Sequence, residues 1–103
     1  MEKNYWNNIK KELVILLDII RNHLDGDSID AVEHYIKHDE FEIAFEGLFI
    51  EIMKMEKAPN LDYNIYLKLG KKLKLDEESV IDPFFWENFI NFIRLSKSSN
   101  LEE

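Results

Sequence analysis

The segment DEFEIAFEGLFIEIMKMEK, residues 39–57, is too apolar for a surface helix and has the wrong period for a strand. Placed at about 100° per residue, Phe41, Ala44, Phe45, Leu48, Ile52 and Met55 share one face. Ile43 and Ile50 lie to one side of that face, and Phe49 and Met53 to the other. A helix that is apolar nearly all round predicts a central element with other helices packed around it. Two polar seams remain: Glu42, Glu46 and Lys57 in one, and Glu40, Gly47, Glu51 and Lys54 in the other. A glycine in mid-helix costs up to about 1 kcal/mol relative to alanine, so Gly47 predicts close packing of another element there. Asp39 followed by Glu42 has the spacing of a capping box that starts this helix, and Pro59 ends it.

Outward from this segment the chain keeps the helical period. Residues 5–24 place Trp6, Ile9, Leu13, Leu16, Leu17, Ile20 and Leu24 on one stripe, after which Asp25 and Gly26 end the helix. Ser28 or Asp27 can cap a short second helix with Ile29, Val32 and Ile36 as its buried face, closed by Lys37 and His38. Beyond Pro59, Asn60 can cap a fourth helix to about residue 74, with Leu61, Ile65, Leu69 and Leu73 as the inward row and a basic opposite face. Asp82 followed by Pro83 then opens a last helix carrying Phe85, Phe89, Phe92 and Ile93. Residues 95–103 are expected to fray. With three glycines, two prolines and no alternating pattern, the expected architecture is all-α. It is a compact single-domain bundle of about five helices over residues 1–103.

Composition narrows the function. The absence of cysteine excludes disulfides, thiolate zinc sites and a cysteine nucleophile, in keeping with a cytoplasmic protein. The apolar run at residues 13–17 is too short for a signal peptide or a membrane span. Net charge is −8, from 21 acids and 13 bases. A surface of that sign repels nucleic acid and anionic lipid and attracts cationic proteins.

The acid is also unevenly placed. Residues 25–56 hold ten acids and two bases, whereas residues 57–75 hold one acid and five bases. Helix capping accounts for Asp27, Asp39 and Asp82 but not for the whole excess. Asp25, Asp27, Asp30, Glu33, Asp39, Glu40, Glu42 and Glu46 are therefore the expected surface for a cationic partner. Trp86, Tyr35 and Tyr63 are the aromatic candidates for anchors within it.

Catalysis has less behind it. His34 and His38 have the i, i+4 spacing that lets two imidazoles share a metal, with Asp30 one turn earlier. Pairs of this kind are usually surface residues, and no metal, cofactor or catalytic residue is expected. Gly70 in KLGKKLK has no second glycine to build a phosphate loop. Acid–base chemistry needs a carboxylate desolvated in a cleft, which capped, exposed turns do not provide.

The stretch VEHYIKHDEFEIAFEGLFIEI, residues 32–52, with the later YLKLGKKLKLD, resembles the small helical immunity proteins of contact-dependent growth inhibition and Maf-type toxin systems. The likeness lies in a short helix ending in a tyrosine and an aliphatic residue, a turn with Glu40, and then Phe41, Ala44 and Glu46. Asp39 stands where such sequences often have glycine. The resemblance covers about half the chain, and part of its motif encodes only a capped amphipathic helix. It implies a cytoplasmic protein that binds and neutralises the C-terminal toxin domain delivered by a sister cell, often a ribonuclease or other nuclease. The expected mechanism is occlusion of the toxin's cationic active site by carboxylates. The alternative is an acidic helical adaptor that binds a basic protein or a partner helix.

Overall fold

The computed structural model describes the backbone of residues 2–102 and the side chains of residues 6–96. Among the described residues five α-helices follow one another: α1 (Glu2–Ile20), α2 (Gly26–Lys37), α3 (Phe41–Lys54), α4 (Tyr63–Lys72) and α5 (Phe85–Glu102). A single 3-10 turn (Arg21–His23) extends α1, and there is no strand among the described residues. The radius of gyration is 13.4 Å, close to the ~13 Å of a well-packed domain of about 100 residues. The fold is an all-α bundle.

α3 is its axis, with α1, α2 and α5 packed against it. Phe41, Ala44, Phe45, Leu48, Phe49 and Ile52 are all buried. The centre is a cluster of four phenylalanines from two helices, none of them exposed to solvent. Phe49 and Phe89 lie 4.8 Å apart between ring centroids, Phe45 and Phe49 4.9 Å, Phe85 and Phe89 5.5 Å, and Phe45 and Phe89 5.7 Å. Burying each ring contributes about 1.5–3 kcal/mol, and each pair adds about 0.5–1.5 kcal/mol through edge and face contacts. α1 covers one side with Ile9, Leu13, Leu16, Leu17 and Ile20. Trp6 stays 42% exposed while stacking on Phe41 at 5.7 Å.

Several local expectations need correction. Asp25, not Asp27 or Ser28, caps α2, its carboxylate accepting the Ser28 backbone N–H at 2.7 Å. Asp39 does not open α3 as part of a capping box. It sits one residue beyond the C-cap of α2 with φ 59°. Its N–H bonds to Ile36 O at 3.1 Å, and the N–H of Glu40 bonds to Tyr35 O at 2.8 Å, the paired closure of a Schellman motif. Committed to that turn, Asp39 is too early to cap, and Glu40 precedes α3 without a side-chain cap.

α4 repeats the device. Lys74 has φ 62°, Lys74 N–H bonds to Lys71 O at 2.9 Å, and Leu75 N–H bonds to Gly70 O at 3.0 Å, which directs Leu75 into the core. α4 also starts later than Asn60, capped by Asp62; of the expected inward row Leu69 and Leu73 are buried and Leu61 packs on the core, but Ile65 is not part of it. Tyr63, Tyr66, Leu69 and Gly70 face inward, while Ile65 is 47% exposed. The Tyr63 hydroxyl donates to Pro59 O at 2.6 Å and so ties down the connector before α4. Burial pushes that hydroxyl up to about 12, so it remains a donor at neutral pH. At the other end of the chain, α5 continues as helix through the segment expected to fray, as far as Glu102.

The close packing expected at Gly47 is found at Gly70 instead. A Cβ on Gly47 would make only an ordinary contact, 3.9 Å from Ile81 Cδ1, so no tight packing excludes a methyl there. A Cβ on Gly70 would stand 2.7 Å from Trp86 Cζ3 and 3.3 Å from Phe45 Cε1, and here the helices do close on a bare backbone. Gly47→Ala is expected to raise stability by about 0.5–1 kcal/mol through helix propensity. Gly70→Ala should lower it by about 1–2 kcal/mol, because overpacking outweighs the same propensity gain. Chemical denaturation of the two variants checks both signs. Asp39→Gly should add roughly 0.5–1 kcal/mol by relieving the left-handed backbone. The exposed Lys10–Asp39 pair, 3.8 Å apart, offsets little of that gain.

Candidate functional site

Glu46 lies within the apolar surround of α3 and has no solvent exposure. Its oxygens are fully engaged: Oε1 accepts the N–H of Val80 at 2.7 Å, and Oε2 accepts those of Ile81 at 2.8 Å and Asp82 at 2.6 Å. Three consecutive backbone N–H groups form a concavity that suits an anion, and here the anion is the protein's own side chain. None of the ion pairs among the described residues involves Glu46. The expectation that Glu46 contributes to an exposed acidic surface is therefore corrected. It faces inward and clasps the connector between α4 and α5.

That clasp dictates what the connector shows to solvent. With its N–H groups held against α3, the connector leaves Val80 56%, Ile81 49% and Phe84 64% exposed, while the Ile81 Cδ1 rests over Gly47 of α3. Asp82 stabilises the following turn, accepting the Phe84 N–H at 2.9 Å as Phe85 N–H bonds to Asp82 O. Val80 stands between two shallow hollows. One, of about 290 Å³, is lined by Asp39, Glu40, Glu42, Ile43 and Val80. The other, of about 300 Å³, is lined by Glu77, Glu78, Ser79, Val80, Ile81 and Pro83.

The remaining acidic residues expected at the site are all exposed. Asp25 is occupied as a helix cap, and the backbone hydrogen bond from Ser28 holds its carboxyl below the usual range. Asp27 and Asp30 project from α2. Glu33 pairs with Arg21 at 3.2 Å, sharing that guanidinium with Asp18 at 3.1 Å. Asp39, Glu40 and Glu42 gather at the turn between α2 and α3, beside Val80.

Sequence reasoning missed Val80, Ile81, Phe84, Glu77 and Glu78. The available signal was VIDPFF, in which three apolar residues precede Phe85 and fall outside the row that α5 buries. Of the proposed aromatic anchors, Tyr63 is core, and Trp86 lies half-buried over Gly70 and Phe89. Tyr35 is half-buried against the core.

The His34 and His38 rings lie 4.4 Å apart on an exposed face. Among the described residues, no three His, Cys, Asp or Glu side chains come together to hold a metal. Also among the described residues, no helix is long and apolar enough to cross a membrane.

Glu46→Gln keeps the volume but sets an amide NH₂ against at least one of the three N–H donors. It should cost about 2 kcal/mol, and Glu46→Ala, which orphans all three, about 3–5 kcal/mol. Amide hydrogen exchange at residues 80–82 should accelerate in both variants well before the helices lose protection. Unchanged exchange there would show that the clasp does not hold the connector. No family model, curated protein or solved structure matches the chain.

Proposed function

We propose that the chain is an immunity protein that binds and neutralises a cationic toxin domain in the cytoplasm, a ribonuclease-type nuclease being the partner best suited to its charge. The observation that carries this reading is the segregation of exposed carboxylate. Asp25, Asp27, Asp30, Glu33, Asp39, Glu40 and Glu42 all reach solvent along α2 and the turn into α3. Their described cationic neighbours are Arg21 beside Glu33 and Lys10 at 3.8 Å from Asp39. Most of the negative field is thus left unneutralised within the chain.

A nuclease gathers Lys, Arg and His around its phosphate-binding cleft, and a negative surface of complementary shape both speeds the encounter and blocks substrate entry. The only fully buried carboxylate among the described residues, Glu46, has its oxygens occupied by three N–H donors. This leaves the exposed carboxylates to act by charge, in occlusion rather than in acid–base chemistry. The resemblance of residues 32–52 to the immunity proteins of toxin systems supports the same assignment.

The reading expects a toxin domain to be encoded immediately upstream, and co-expression with it tests the reading through cell growth and copurification. The native chain should restore growth and form a stable one-to-one complex. Reversing Asp27, Asp30, Glu40 and Glu42 together to lysine should abolish protection and slow association at low salt by at least about tenfold. Protection undiminished by the fourfold reversal would remove the acidic surface from the mechanism. Copurification with several unrelated basic proteins would assign the chain to the adaptor class instead.

A further inference from the structure

We infer that the docking centre is the apolar ridge of Val80, Ile81 and Phe84, and that its occupant is a cationic protein segment presenting an aliphatic or aromatic side chain between basic residues. This rests on the proposed binding of a cationic partner and locates where that binding is centred.

The ridge is not an accident of a loose loop, because the three N–H bonds to buried Glu46 fix its backbone from beneath. Large apolar side chains grouped in solvent on a fixed backbone mark a site of interaction rather than of packing. Charge complementarity identifies that partner. The hollow on one side of Val80 is rimmed by Asp39, Glu40 and Glu42, and the hollow on the other by Glu77 and Glu78. An apolar centre with carboxylates on both flanks matches a segment in which an apolar residue is bracketed by Lys or Arg. This is the core-and-rim arrangement of protein interfaces. Fixing the ridge in advance also reduces the ordering cost of binding.

The acidic residues differ in their distance from this centre. α2 has twelve residues, about 18 Å at the rise of an α-helix. Asp25 and Asp27, at its start, are therefore roughly a helix length from the exit turn that carries Asp39 and Glu40. Asp39, Glu40 and Glu42 belong to the centre, and Glu77 and Glu78, absent from the sequence-based set, join them.

The test titrates two short peptides of equal positive charge into the ¹⁵N-labelled full chain. One alternates Lys and Arg with Leu and Trp, and the other has Ser at the apolar positions. The apolar-bearing peptide should shift the amides of residues 39–43 and 77–84 and bind at least about tenfold tighter than its Ser counterpart, a difference of about 1.4 kcal/mol. Val80→Ser combined with Phe84→Ser alters only exposed side chains and should erase that difference. Equal affinity of the two peptides, no binding by either, or shifts confined to residues 25–30 would each overturn the ridge as docking centre. The last of these would leave the charge-based reading of the function standing. Conversely, selective binding at the ridge by a chain that gives no protection from the upstream toxin would uphold the ridge and overturn the immunity assignment.

Discussion

An ionised carboxylate taken out of water costs several kcal/mol unless its oxygens find donors, and Glu46 meets that requirement with backbone alone. The connector between α4 and α5 must therefore pass where it does, with three successive N–H groups aimed at α3. Two consequences follow from this one constraint. Asp82 is placed to start the turn into α5, which sets Phe85 and Phe89 against Phe45 and Phe49. Val80, Ile81 and Phe84 are left largely in solvent, Val80 next to the acidic turn between α2 and α3. Core and candidate surface are two sides of the same arrangement.

The fold was largely legible because α3 is unusual as sequence. A helix apolar on nearly every face has only one stable place, the centre, and the surrounding helices show narrower stripes that fit around it. The α1 stripe packs inward from Ile9 to Ile20, with Trp6 left part-exposed, and of the α5 row Phe85, Phe89 and Ile93 are buried while Phe92 is partly so. The errors cluster at helix ends. Asp39 and Lys74 adopt the left-handed backbone that usually draws glycine, so composition offered no sign of a Schellman turn at either place. The nearby Asp-Glu spacing pointed to a capping box instead. On α4, Leu69 and Leu73 are buried as read, but the pattern places Ile65 inward in preference to Tyr63 and Tyr66 because it outranks them in hydrophobicity. The tyrosines win the interior by volume and ring contact, Tyr66 on Phe49 and Tyr63 on Phe92.

The candidate surface was legible only in its charge. Clustering of acids along the chain carries through to clustering in space, since α2 and its exit turn are contiguous in both. What the one-dimensional pattern could not hold was the contribution of residues 77–84, more than thirty positions from Glu46 and brought to it by hydrogen bonds to its side chain. A glutamate in a polar seam of a helix reads as solvated. Only the path of a distant connector converts it into a buried acceptor, and backbone N–H donors leave no signature in side-chain chemistry.

The two left-handed residues link stability to function. Asp39 occupies a position where glycine relieves backbone strain, while its carboxylate lines the hollow beside Val80. Aspartate is among the few residues that tolerate this backbone conformation, so it places a negative charge at the rim with less strain than glutamate would incur. Lys74 adopts the same left-handed backbone without a short polar side chain to ease it, and carries the opposite charge on the basic segment at the end of α4. Helix termini that a bundle must close in any case are thus used to set the sign of the surface on either side of the connector. The rigid element between them, held by Glu46, then defines where an apolar contact can be added to that charge.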